Sequence, residues 1–190
     1  NVFYNGKMIK QKSFDKYIGL YLDNEKMVYE DIHERWSLGI AVSTSDKFEQ
    51  ISFVNGIATP KGGKHVDYIT NLLVKALITH IEKKEKTKVK DAYIKNYLKV
   101  FLNSTIENPG FDSQTKERLI TAPTKFGSKP VLNDKFIKKV IGLGLVDKVL
   151  SFAEFKDNKN AKKTDGSKKN KIQVPKLDDA NWAGTKKSDQ

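Results

Sequence analysis

Apolar residues fall along this chain in patterns that each predict an element. Val2-Phe3-Tyr4 and Met8-Ile9-Lys10 flank Asn5-Gly6, whose tolerance of positive φ suits a two-residue hairpin turn. Phe14, Tyr17, Ile18, Tyr21 and Leu22 then recur at the spacing of one helical face, with Ser13 standing where a capping hydroxyl belongs. Residues 23–33 are polar and read as a turn. Trp36, Leu38, Ile40 and Val42 alternate with smaller residues, as in a strand buried on one face. After the polar turn Thr44-Ser45-Asp46-Lys47 a second strand is expected over 48–54, and the glycines and proline of 55–63 predict a non-helical loop.

The clearest helix runs from His65 to about Lys84, on Val66, Ile69, Leu72, Leu73, Ala76, Leu77 and Ile81. A lysine-rich stretch follows, then an apolar strand over 98–106 and an irregular segment over 107–129 containing Pro109-Gly110 and Pro123. Asn133 is placed to cap helical material reaching about Phe155, which Gly142 and Gly144 divide in two. Strands interleaved with helices predict an α+β (α/β two-layer) domain over 1–155, a single sheet covered by helices. From 156 to 190 apolar anchors are few (Ile172, Val174, Leu177, Trp182) and lysine is frequent, which predicts a basic, poorly packed connector.

Composition narrows the chemistry. The chain has 190 residues, 38% hydrophobic and 31% charged, room for one substantial domain with an extension. No apolar run approaches the length of a membrane span, so no membrane partner is expected. The opening Asn1-Val2-Phe3-Tyr4 lacks a methionine and reads as strand, not as a signal peptide, which predicts a piece of a longer protein. A net charge of +12 fits a polyanionic partner, nucleic acid first, or simply a lysine-biased solubility charge. Cysteine is absent, removing disulfides, thiol catalysis and cysteine-ligated zinc. His33, His65 and His80 are dispersed, and Asp178-Asp179 is an adjacent pair whose side chains diverge, so no metal site is expected. Gly62-Gly63-Lys64-His65 lacks the hydroxyl residue and first glycine of a phosphate loop.

Two local patterns stand out. Ser52-Phe53-Val54-Asn55-Gly56-Ile57-Ala58-Thr59-Pro60-Lys61-Gly62-Gly63-Lys64-His65 joins a strand end to the amino end of the long helix. It is either an anion-receiving helix start or a structural turn that requires glycine. Phe111-Asp112-Ser113-Gln114-Thr115-Lys116-Glu117 lies in the irregular segment after the apolar strand. Gln114 can donate a hydrogen bond and Lys116 carries a mobile ammonium suited to phosphate oxygens, although an ordinary polar loop would read the same.

Together these patterns resemble the transducer of type IIA topoisomerases and gyrases. The first matches that family's Ser-Phe-x-Asn-x-Ile-x-Thr-x-x-Gly-Gly-x-His. Ser113-Gln114-Thr115-Lys116 looks like the loop named there for its Gln-Thr-Lys. His65-Val66-Asp67-Tyr68, Ile106-Glu107-Asn108-Pro109, Phe126-Gly127-Ser128 and Pro175-Lys176-Leu177-Asp178-Asp179-Ala180-Asn181 resemble the eukaryotic enzymes in particular. The resemblance implies a fold like ribosomal protein S5 domain 2, with helices on one face of the sheet. It implies that Gln114, Thr115 and Lys116 bind ATP held with Mg2+ mainly by a neighbouring ATPase domain, Lys116 being the catalytic contact to the terminal phosphate. The remaining implied partners are a DNA-cleavage core reached through residues 156–190, duplex DNA, a second copy of the chain and a nuclear location. The chain alone would hydrolyse no ATP, because the general base and the metal ligands lie in other domains. Lys83, Lys84 and Lys86, in the run Glu82–Lys90, stand where the family carries a basic loop near DNA; Glu85 interrupts the run, and a solvated helix end is the other reading. Rival assignments are a stand-alone nucleic-acid-binding module of the same fold and the transducer of a related ATPase.

Overall fold

The structure, a computed structural model, describes residues 2–9, 13–23 and 25–165. The Asn5-Gly6 turn has φ of 46° and 74° and closes the expected hairpin of β1 (Val2–Tyr4) and β2 (Lys7–Ile9), a separate two-stranded sheet. The main sheet has five strands: β3 (Met27–His33), β4 (Trp36–Val42), β5 (Glu49–Val54), β6 (Ile57–Ala58) and β7 (Leu98–Ser104). Their order is β3-β4-β7-β5-β6. The apolar strand β7 therefore sits at the centre, antiparallel to β4 and parallel to β5. A parallel neighbour needs a crossover, and α2 (Lys64–Glu85) with α3 (Asp91–Asn96) supplies it.

Strand alternation distributes the two sheet faces. Leu38, Ile40, Leu98, Val100 and Leu102 pack with Ile69, Leu73, Leu77 and Ile81 of α2 and with Phe136 and Val140 of α4 (Asp134–Ile141). Each large aliphatic side chain fully buried here contributes about 1.5–3 kcal/mol. The long helices thus cover one face, as expected. The opposite face has a smaller cover: α1 (Phe14–Ile18) lays Ile18 over Ala41 and Phe101, while Phe14 and Tyr17 meet Phe53 edge-on at 6.1 and 5.6 Å. A side chain at Gly39 would stand 2.6 Å from the Ile18 methyl, so the small residues of β4 make room for α1.

Several expectations need correction. Residues 23–33 are not all turn, because Met27–His33 is strand β3. Among the described residues it pairs only with β4, and an edge strand can carry Glu30 and Asp31 without burying them. Ser13 precedes α1, but its side chain makes no cap; the backbone carbonyl takes the Tyr17 amide at 3.1 Å. The 55–63 loop contains the short strand β6 after an Asn55-Gly56 turn. Helix α3 follows the lysine-rich stretch, where the sequence pattern predicts no element. Asn133 caps α4 as expected, its side chain accepting the Phe136 amide at 2.7 Å. Gly144, at φ 79°, separates α4 from α5 (Leu145–Asp165), which continues past Phe155 because no proline or glycine interrupts the chain before Gly166. Residues 1–154 form one compact unit, and a second begins at Phe155. The Pro175–Asn181 match, Asp178-Asp179 and the connector's apolar anchors lie outside the described residues.

Candidate functional site

The stretch 52–65 folds into a buried polar knot. The Thr59 amide donates to the Ser52 carbonyl at 2.8 Å, the Ser52 hydroxyl lies 2.6 Å from the Thr59 hydroxyl, and the latter lies 3.2 Å from His65 Nε2. In the arrangement in which Thr59 donates to the Ser52 carbonyl (3.0 Å), Nε2 carries the imidazole proton and donates to Thr59. His65 Nδ1 then has no partner among the described residues, and burial with 0% exposure pushes the imidazole pKa down to about 4. Asn55 reaches across to residue 106, donating to its carbonyl at 3.0 Å and accepting its amide at 2.8 Å. These side chains fasten the β5–β6 hairpin to the start of α2 and the end of β7.

Gly62 and Gly63 complete the turn at φ 65° and 135°. A Cβ on Gly63 would fall 2.3 Å from the Leu119 carbonyl oxygen, so only glycine lets residue 119 lie against this backbone. The contact is hydrogen-bonded on both sides: the Leu119 amide donates to Gly62 at 3.1 Å, and the Lys64 amide donates to Leu119 at 3.0 Å. The first amide of α2 is therefore already occupied. Of the two readings left open for this turn, the structure favours the structural one over an anion site.

Leu119 belongs to the return limb of the second pattern. Phe111 bridges Leu119, the Asp112 amide donates to Arg118 at 3.1 Å, and Gly110 is held by the Thr121 hydroxyl at 2.7 Å. Between these ties the tip turns tightly, with the Lys116 amide on the Ser113 carbonyl at 3.1 Å and Lys116 at φ 57°. Ser113 and Thr115 pair through their hydroxyls at 2.8 Å, so Thr115 is used within the loop. Gln114 and Lys116 are exposed, and their side chains make no hydrogen bond or ion pair among the described residues. Such a tip can offer an amide donor and a positive charge to an anion from outside.

Lys61 and Glu117, whose residue types imply no role in the sequence, join the two patterns. The Lys61 amide donates to the Glu117 carbonyl at 3.0 Å, and the Lys61 ammonium pairs with the Glu117 carboxylate. The eukaryotic-like words elsewhere are also contacts. Glu107 pairs with Arg35 at 2.6 Å and takes the space a Cβ on Gly127 would fill, and the Trp36 indole donates to Ser128 at 2.7 Å. Lys83, Lys84 and Lys86 are exposed at the other end of α2. Lys84 pairs with Glu85 at 3.5 Å, and Lys86 ends the helix at φ 53°. The loop and these lysines are thus not one site; they occupy opposite ends of a 22-residue helix.

A sheet layered with long helices, carrying a loop pinned to the start of one of them, defines a two-layer α+β domain with an exposed polar tip. Comparison with known proteins gives it a family. The family model for DNA gyrase B matches residues 4–170, and the chain belongs to that family. It is 45% identical over 194 residues to DNA topoisomerase 2 of Arabidopsis thaliana, covering 97% of this chain and 13% of the relative. The ATPase and transducer domains of DNA topoisomerase II from Balamuthia mandrillaris superpose with a TM-score of 0.72 at 40% identity, over 76% of this chain and 37% of that one. The ATPase region of Saccharomyces cerevisiae topoisomerase II gives 0.71 at 43% identity, over 79% and 39%. The chain thus corresponds to part of the ATPase-containing region of a type II topoisomerase, and spans about 13% of the length of the curated relatives it matches.

Proposed function

We propose that this chain is the transducer segment of an ATP-dependent type II DNA topoisomerase, coupling ATP hydrolysis in a neighbouring domain to DNA strand passage. The observation that carries the reading is the loop 111–117: pinned at its base to the start of α2, it leaves Gln114 and Lys116 unpaired among the described residues at its tip. ATP with Mg2+, bound mainly by the ATPase domain, supplies the phosphoanhydride. Lys116 contacts the terminal phosphate and balances charge as it builds during transfer, while Gln114 and the Thr115 backbone fix the tip beside it. Residues 1–155 act as the transducer and 156–190 as the connector to the DNA-cleavage core, in a nuclear homodimer.

Replacing Lys116 by Ala in the full-length enzyme is expected to lower ATP turnover at least about tenfold. Wild-type turnover together with wild-type strand passage would overturn the reading. The exposed Lys83, Lys84 and Lys86 contact phosphates of duplex DNA. Neutralising each contact reduces the slope of log affinity against log salt by about one, and an unchanged slope in the triple variant removes DNA from this end of the helix.

A further inference from the structure

Lys116 stands directly before the residues that tie its loop to α2. Glu117 gives its carbonyl to the Lys61 amide and its carboxylate to the Lys61 ammonium. That carboxylate holds the ammonium pKa above the usual lysine range. Two residues further on, Leu119 is fully buried and seated on Gly62, Gly63 and Lys64. The tip from 112 to 116 is exposed, and among the described residues its only side-chain hydrogen bonds are local ones of Ser113.

Resting on the function proposed above, we propose that Lys61 and Glu117 are positioning residues for Lys116. Two physical effects act together. The ion pair anchors residue 117 by its side chain as well as its backbone, which narrows the directions in which the next ammonium can project. A transferring group tolerates little misplacement of the charge that stabilises it. The pair also occupies the carboxylate nearest to Lys116 in sequence. Left unpaired, Glu117 would draw the neighbouring ammonium toward itself and away from a phosphate; with Lys61 on it, Lys116 stays free.

The test is a cycle of variants in the full-length enzyme, followed by steady-state ATP hydrolysis. Lys61→Met is expected to lower kcat about two- to fivefold, the upper part of the range of a solvent-exposed ion pair, with KM for ATP changed less than about twofold. Lys61→Arg, which keeps the charge, returns kcat to the wild-type value. In a Lys116→Ala background, Lys61→Met has no further effect. Glu117→Gln removes both the anchor and the competing charge, and its loss is smaller than that of Lys61→Met. Wild-type kcat in Lys61→Met, beside an impaired Lys116→Ala, overturns the positioning role and leaves the proposed function standing. An undiminished loss in the Lys116→Ala background also overturns it, because the pair would then act on the fold generally. Wild-type kcat in Lys116→Ala overturns both. The Lys61 side chain is 65% exposed and the backbone bonds survive substitution, so a melting temperature within a degree or so of wild type is expected and confirms that the variants are folded.

Discussion

The two segments that drew notice in the sequence, 52–65 and 111–117, use polar residues in opposite ways. In the first, Ser52, Thr59 and His65 are buried and spent on one another. In the second, Gln114 and Lys116 are exposed and spent on nothing within the described residues. One segment builds and the other presents. The difference teaches that two motifs read together from sequence need not form one binding surface: here the first is the footing of the second, joined to it where residue 119 lies on Gly63.

The strongest way to break that picture is at the joint. Gly63→Ala puts a methyl into the main chain of Leu119 at a φ that L residues rarely adopt, and should cost at least about 3 kcal/mol in urea denaturation. An unchanged midpoint would mean that the loop lifts off α2 freely. The buried side of the comparison can be sharpened by pH. His65 has a folded pKa of about 4, below the 6.5 of an exposed imidazole, so between these values the unfolded chain holds more protons. Its contribution to stability is complete above pH 6.5 and is lost as pH falls toward 4, in total roughly 3 kcal/mol. The dependence should flatten in His65→Gln, and an equal slope in that variant would place the proton elsewhere. The smallest effect belongs to the presenting side. Lys116→Ala should change stability by less than about 0.5 kcal/mol, and a loss above about 1 kcal/mol would make the tip a structural part of the fold.

Elements that bury a repeating side-chain pattern were legible in the sequence. The set from Val66 to Ile81 defined α2 almost to its ends, and the alternation of Trp36, Leu38, Ile40 and Val42 defined β4. Strand β3 escaped because an edge strand buries little: Val28 is its one buried residue, with Ile32, Met27 and Tyr29 only partly buried against the two cores. Helix α3 escaped because six residues with one fully buried side chain, Ile94, carry no period. At the candidate site, residue types alone left 111–117 an ordinary polar loop; the family resemblance singled it out. Its tie to 61–64 was not legible, because backbone hydrogen bonds between segments fifty residues apart leave no side-chain pattern. Only Gly63, required by the closeness of Leu119, marked the place.

Helix α2 gives this footing a mechanical ratio. Its 22 residues span about 33 Å at the rise of an α-helix. A tilt of about 5° about the Gly63 end therefore carries Lys83 and Lys84 through about 3 Å, roughly the length of a hydrogen bond. Leu73, Leu77 and Ile81 are buried along the helix, so such a tilt has to take the sheet beneath it along as one body, and the two ends of the helix cannot move independently.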